Sequence, residues 1–207
     1  MKLLNSWRGM AAGWLLLGTA LTASAATLAE QVQARLYNEP VLRGQFEQTQ
    51  TLKGFSKPLV SKGDFLLARE RGVIWATQSP FPSTLTVTRE RIVSSNGKGA
   101  AQRIDASKEP GLKQVNDIVF ALLSGDLKAL SGKFDVSGEV PAHGGWKLQL
   151  TPRDANLARF LGPVELSGDR FVESVHWRSG QGDDTLIRFS KQGTAPALAP
   201  DDAHRFD

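Results

Sequence analysis

Beyond residue 25 the apolar positions follow a helical period in two places and a period of two almost everywhere else. Thr27-Leu28-Ala29-Glu30 has the form of a capping box, a side-chain oxygen at the start and a carboxylate three residues on. Leu28, Val32 and Leu36 follow at helical spacing with Ala29 and Tyr37 beside them, which predicts an amphipathic helix stopped by Pro40. From Val41 the period changes. Leu42, Gly44, Phe46, Gln48 and Gln50 alternate with Arg43, Gln45, Glu47, Thr49 and Thr51, the pattern of a half-buried strand whose one bulky apolar face residue is Phe46.

Short β-like runs then recur at Leu59–Ala68, Gly72–Thr77, Ser83–Thr88 and Arg91–Ser95, with Asn96-Gly97 as a hairpin signal. They resume at Lys133–Gly138, Trp146–Thr151, Val164–Leu166, Phe171–Arg178 and Thr185–Ser190, separated by glycine-containing turns. Strands at this spacing without long intervening helices predict one antiparallel sheet, strongly curved or barrel-like. One segment breaks the pattern. Leu112, Val115, Ile118, Val119 and Leu122 sit at helical spacing, with Asn116 or Asp117 as a start or kink and Gly125 as a stop; a turn over Asp126–Leu130 follows. The unbroken apolar run Ile118–Leu123 exceeds what one helix face can bury. Either this helix is sandwiched, or one face covers something other than protein. The Ala- and Pro-rich stretch Thr194–Pro200 reads as a loose tail packed on the outside.

The first 25 residues are expected to be an export signal. Lys2 and Arg8 form a positive start, Met10–Leu21 is an apolar stretch too short to span a bilayer, and Ala23-Ser24-Ala25 provides the small residues for cleavage after Ala25. The remainder, 26–207, is then a single domain with a periplasmic address. The 207-residue chain carries 25 Lys and Arg against 21 Asp and Glu, and two of those cations lie in the signal. No basic run is dense enough to suggest nucleic acid as partner. The chain has no cysteine, which removes disulfides, thiolate metal sites, thiol nucleophiles and an acylated N-terminal cysteine.

No serine-hydrolase elbow, zinc-protease or nucleotide-binding signature occurs, and Gly97-Lys98-Gly99 lacks the rest of any phosphate-loop pattern. His143, His176 and His204 are scattered, so no metal site is expected, and no cofactor. His176, beside Trp177 in a strand, reads as a surface or hydrogen-bonded histidine. Asp183-Asp184 reads as turn chemistry, since neighbours on a strand point to opposite faces. A non-enzymatic protein is the expectation.

Gly63-Asp64-Phe65-Leu66-Leu67-Ala68-Arg69-Glu70-Arg71-Gly72-Val73-Ile74-Trp75, preceded by Gly44-Gln45-Phe46-Glu47-Gln48, resembles the periplasmic lipoprotein carrier family LolA. That family reads as a helix, a strand with F-x-Q, then G-x-L-x-V-x-R-P-x-x-F-x-W; Gly63, Arg69 and Trp75 match at its spacing. Trp146–Arg153 matches a strand ending in an L-T-P-K-like sequence, and Asp183–Phe189 an acidic turn and strand, so the resemblance runs from about Thr27 to Ser190. The chain departs from the family in three places. Glu70 stands where the family has proline, Val73 where it has phenylalanine, and Lys98–Ile104 lacks the aromatic residues of the corresponding strand.

The resemblance implies an incomplete, half-open antiparallel β-barrel with helices forming a lid. It implies a cavity for lipoprotein acyl chains, lined by Phe46, Phe65, Leu67, Trp75, Leu85, Val87, Leu148 and Leu150, and a lid helix carrying Val115, Ile118, Val119, Leu122 and Leu123. From pattern alone the same strand residues would be ordinary barrel core. Arg69 would latch lid to barrel when the cavity is empty; beside Glu70 and Arg71 it also reads as one of a cluster of surface charges. The implied partners are lipidated protein or another acyl lipid as cargo, an inner-membrane release complex and an outer-membrane acceptor, with the carrier a monomer. The missing aromatic strand leaves open a glycolipid or pigment-lipid load in a dedicated export system, or a lipoprotein sensor.

Overall fold

The computed structural model describes residues 26–96, 101–105, 121 and 126–206. Eleven strands form one antiparallel sheet: β1 (Val41–Thr51), β2 (Leu59–Ala68), β3 (Gly72–Ser79), β4 (Ser83–Thr88), β5 (Arg91–Asn96), β6 (Ala101–Asp105), β7 (Phe134–Glu139), β8 (Trp146–Pro152), β9 (Val164–Gly168), β10 (Val172–Arg178) and β11 (Asp184–Ala195). The spatial order is β6-β5-β4-β3-β2-β1-β11-β10-β9-β8-β7. Every neighbour is the next strand in sequence except at the centre, where β1 meets β11. The edges β6 and β7 are joined to each other by chain and not by hydrogen bonds, so the barrel stays open. Open sheets of this width curl, and curling creates a concave face that must be filled or covered.

The registers show which residues share that face. Phe65, Trp75 and Leu85 stand opposite one another across β2, β3 and β4, as do Leu67, Val73 and Val87. On the other flank Leu148 faces Leu166, and Leu150 faces Val164. Phe46 faces Phe189 across the central pair. Two glycines make this packing possible. A Cβ on Gly44 would lie 2.8 Å from the Phe65 ring, and one on Gly63 would lie 2.0 Å from the Ala76 carbonyl oxygen, so both strands approach as only glycine allows.

The short helices gather the rest of the core. α1 (Leu28–Gln33) starts with the expected capping box: the Thr27 hydroxyl accepts from the Glu30 N–H while the Glu30 carboxylate accepts from the Thr27 N–H. It ends at Gln33, earlier than Pro40, and the chain that follows is held by Arg69, which takes the carbonyls of Tyr37 and Glu39. α2 (Leu127–Leu130) is capped by Asp126 and buries Leu127 and Leu130 in the concave core beside Val32. The sequence pattern missed α3 (Ala155–Phe160), whose N-cap Asp154 accepts from the N–H groups of Asn156 and Leu157. Ala121 is helical and buried, while the residues on either side of it in the expected apolar helix lie outside the described ones.

A second, smaller core lies on the convex side, where Val41, Leu66, Ala68 and Ile74 are covered by Phe206 and Leu198. The stretch Thr194–Pro200 thus packs on the outside as expected, but it is held there by β11 and Leu198 and is not loose. β11 runs through Ala195, α4 (Pro200–Ala203) and a final 3-10 turn (His204–Phe206) follow, and the Phe206 carbonyl accepts from Arg91 at 2.6 Å. Asp202 lies 3.3 Å from Arg43 and 3.1 Å from Arg205, exposed pairs that contribute little beside the apolar seal. Replacing Phe206 by alanine should lower unfolding stability by about 3 kcal/mol in urea titration, with the far-ultraviolet signature of the sheet retained.

Candidate functional site

The concave face concentrates its aromatic residues at the centre of the sheet. Phe46 and Trp75 stack with centroids 3.8 Å apart, Phe65 meets Phe189 edge-on at 5.2 Å, and Trp75 meets Phe189 edge-on at 6.0 Å. Period-two alternation places these rings inward, and β1–β11 pairing brings Phe189 to Phe46 from the far end of the sequence. Leu42, Leu67, Val73 and Val87 extend the apolar surface on one side, and Val164, Leu166, Val175, Leu148 and Leu150 on the other. A gap of about 10 Å³, no more than a water occupies, lies among Leu42, Phe65, Val172, Phe189 and Gln192. Among the described residues the rings cover one another at the centre of the face.

Of the cavity residues expected from sequence, Phe46, Phe65, Leu67, Val87, Leu148 and Leu150 are buried on this face, and Trp75 is half-buried. Leu85 stands in line with Trp75 but is exposed, because the face opens toward the hairpin between β3 and β4. Val115, Ile118, Val119, Leu122 and Leu123 lie outside the described residues. Sequence reasoning missed Phe189, Val175 and Leu166; their alternation along β10 and β11 was legible, but not which face met Phe46. A separate cleft of about 320 Å³ opens between α1 and β7, with Leu28, Ala29, Phe134 and Val136 on its apolar side and Glu30, Lys128 and Arg153 at its rim.

Arg69 sits just past the end of β2, at the end of the sheet occupied by α1. Its Nε donates to the Glu39 carbonyl at 3.1 Å and its Nη2 to the Tyr37 carbonyl at 3.0 Å, while the guanidinium lies 4.8 Å from the Tyr37 ring centroid. Its own backbone N–H donates to the Pro40 carbonyl. Tyr37 in turn packs on Phe171 at 5.5 Å and donates its N–H to the Arg170 carbonyl in the β9–β10 turn. One arginine thereby fastens the segment after α1 between the two flanks of the open sheet. Charge-assisted hydrogen bonds of this kind contribute about 1.5–3 kcal/mol each when desolvated.

The Tyr37 hydroxyl is buried and has no hydrogen-bond partner among the described residues. Burial pushes its pKa up to about 12, against the opposing pull of the Arg69 charge. On the convex side, His176 Nε2 lies 3.1 Å from Asp184 and Nδ1 lies 3.5 Å from Glu165. Burial would raise the Asp184 carboxyl, but hydrogen bonds and charge from His176 and Arg178 outweigh it and hold the group below its ordinary value. Both imidazole nitrogens face carboxylates, so the ring is engaged in an ion-pair cluster with Arg178 rather than poised on a nucleophile. Among the described residues no group of three His, Asp or Glu converges to hold a metal ion, and no helix is long and apolar enough to cross a membrane.

The raised Tyr37 pKa fixes a sign. The folded state keeps the phenol protonated above pH 10, where the unfolded chain loses the proton, so stability is full below pH 10 and falls as pH rises toward 12. Tyr37→Phe should leave stability within about 1 kcal/mol of wild type at pH 7, since it removes an unsatisfied hydroxyl. It should also flatten the alkaline loss, as measured by urea unfolding across pH 8–12.

The sequence matches the family model for the outer membrane lipoprotein carrier protein LolA over residues 40–206. No curated protein matches it in a sequence search. Among solved structures it is similar to the LolA superfamily protein NE2245 from Nitrosomonas europaea, at 9% identity and TM-score 0.42, covering 84% of this chain and 93% of that one. A DUF1329 family protein from Desulfovibrio piger is similar at 10% identity and TM-score 0.47, covering 83% and 92%. The Pseudomonas aeruginosa MucA/MucB complex structure matches at 18% identity and TM-score 0.46, covering 81% of this chain and 55% of the matched one. The half-open sheet that carries the Gly63–Trp75 motif, matched by the family model from β1 to Phe206, makes this chain a member of the LolA family.

Proposed function

We propose that this protein is a non-enzymatic periplasmic carrier that takes acyl chains of lipoproteins against its concave face and passes them from an inner-membrane release complex to an outer-membrane acceptor. The supporting observation is the one-sided apolar face of an open sheet: Phe46, Phe65, Trp75 and Phe189 lie on it with no second sheet opposite. Burial of each methylene contributes about 0.8 kcal/mol, so a sixteen-carbon chain carries roughly 12 kcal/mol of gross attraction. A carrier that kept all of this could not unload. Rings that already cover one another when empty reduce the net gain, because cargo must first part them.

In this reading the helix with Val115, Ile118, Val119, Leu122 and Leu123 is the lid, and Arg69 stabilises the closed form by holding the chain after α1. The chain exports with its signal removed after Ala25 and works as a monomer. Arg69→Leu should loosen closure, so that bound lipid is retained longer and handed on more slowly. A several-fold drop in transfer rate to acceptor vesicles would register this, while unchanged transfer would remove Arg69 from the mechanism. Ile118→Glu should cut uptake of a fluorescent fatty acid at least tenfold; wild-type uptake would make that residue ordinary core.

A second reading has its own support. β6, whose residues are Ala101-Gln102-Arg103-Ile104-Asp105, carries no aromatic side chain where the family strand has several. This favours a cargo other than the usual lipoprotein, such as a glycolipid of a dedicated export system, or a sensor that binds lipoproteins without transporting them. Mass spectrometry of lipid extracted from natively purified protein separates the readings. The carrier reading expects lipoprotein acyl groups, the alternative expects glycolipid, and protein free of exchangeable acyl lipid would contradict both.

A further inference from the structure

The largest exposed apolar side chains of the described residues cluster at the end of the sheet opposite Arg69. Phe81 is 82% exposed, Phe55 68%, Leu59 55% and Val60 40%. They lie on two neighbouring hairpin turns, one between β1 and β2 and one between β3 and β4. Lys62 stands opposite Ser79, so the Ser79–Ser83 turn runs alongside Leu59–Ser61, and the β1–β2 hairpin projects beyond it by about three residues, roughly 10 Å. Leu59 shares the concave side with Phe46, being opposite Gln50, while exposed Leu85 stands level with Trp75. Gln48, Ser61, Thr77 and Ser83 occupy the same face between the tip and the rings, so the exposed apolar tips are a surface separate from the aromatic cluster.

The two tips themselves carry charge of one sign: residues 52–60 and 79–83 contain Lys53 and Lys57 and no acid. Of the nearby carboxylates, Glu47 is paired with Lys62 at 2.7 Å and Asp184 with Arg178 and His176, while Asp183 accepts from the backbone N–H of Lys53 and keeps its charge. Neither Lys53 nor Lys57 has an acidic partner among the described residues. Protruding phenylalanines flanked by unpaired lysines suit a bilayer, where rings enter the acyl boundary and ammonium groups reach lipid phosphates. They suit a protein partner less well. Lysine is depleted from protein interfaces, and two narrow tips offer far less than the roughly 800 Å² that each partner normally buries.

We infer that the two hairpin tips, through Phe55, Phe81, Lys53 and Lys57, form a docking surface for an anionic lipid bilayer. The inference goes beyond the cargo reading and stands without it. The test is co-sedimentation of the purified protein with vesicles of phosphatidylglycerol and phosphatidylcholine in equal parts, and with phosphatidylcholine alone. Wild type should bind the anionic vesicles more strongly, by roughly tenfold for two lysines at the surface, and added salt should erase the difference. The double variant F55S/F81S should bind roughly tenfold less, and K53Q/K57Q should lose the preference for anionic lipid. All four side chains are exposed, so urea unfolding of both variants should match wild type. Absence of wild-type binding would overturn the inference and turn attention to a protein partner, and binding indifferent to F55S/F81S would overturn it equally. Uptake of a fluorescent fatty acid, measured in parallel, keeps the two readings apart: its loss with vesicle binding intact counts against the cargo proposal alone.

Discussion

A curved sheet with only one covered apolar face has to satisfy that face from its own side chains, and the architecture follows from this constraint. A sandwich answers the problem with a second sheet and a closed barrel with its opposite wall. Here β6 and β7 end the sheet without meeting, and among the described residues the concave surface is answered by stacked rings, by α1 and α2, and by Ala121. The Phe46–Trp75 stack spans β1 to β3 on one side of the β1–β11 seam, and Phe189 of β11 meets Trp75 and Phe65 edge-on across it. Aromatic contacts of this kind add about 0.5–1.5 kcal/mol each beyond area burial, small enough to be exchanged for contacts with an apolar guest.

The two ends of the sheet have different chemistry. At one, Arg69, Tyr37 and Phe171 interlock the start of the chain with the turns of both flanks, and two charge-assisted hydrogen bonds hold backbone that no helix satisfies. At the other, hairpins project with their phenylalanines in solvent. The C-terminal turn covers part of the convex side through Phe206, and on the same side Arg178 and His176 hold Asp184. The ring-lined concave face is the surface that favours an apolar guest.

Much of this was legible in the sequence, for a physical reason. Alternation with a period of two is imposed by the pleat, so β1, β2 and β4 fall where Val41–Thr51, Leu59–Ala68 and Ser83–Thr88 predict them. Gly63, Arg69 and Trp75 stood out because they match the LolA motif at its spacing, and the structure gives them a close backbone approach, two carbonyl contacts and a ring in the aromatic cluster. What local pattern cannot carry is pairing at long separation. Nothing near Phe46 announces Phe189, and nothing near Arg69 announces the Tyr37 and Glu39 carbonyls that it holds. The stretch Thr194–Pro200 does pack on the outside, but its anchoring by Leu198 beside Phe206, Leu66 and Ile74 depends on a surface that exists only once the sheet has formed.

The central claim is that acyl chains bind where the rings now cover one another, and nuclear Overhauser contacts between isotope-labelled protein and bound palmitate test it most directly. Cross-peaks from the palmitate methylenes to the ring protons of Phe46, Phe65, Trp75 and Phe189 are the expected result, together with separation of the Phe46–Trp75 stack. A bound palmitate whose cross-peaks avoid all four rings, or a stack unchanged at saturation, would contradict the account.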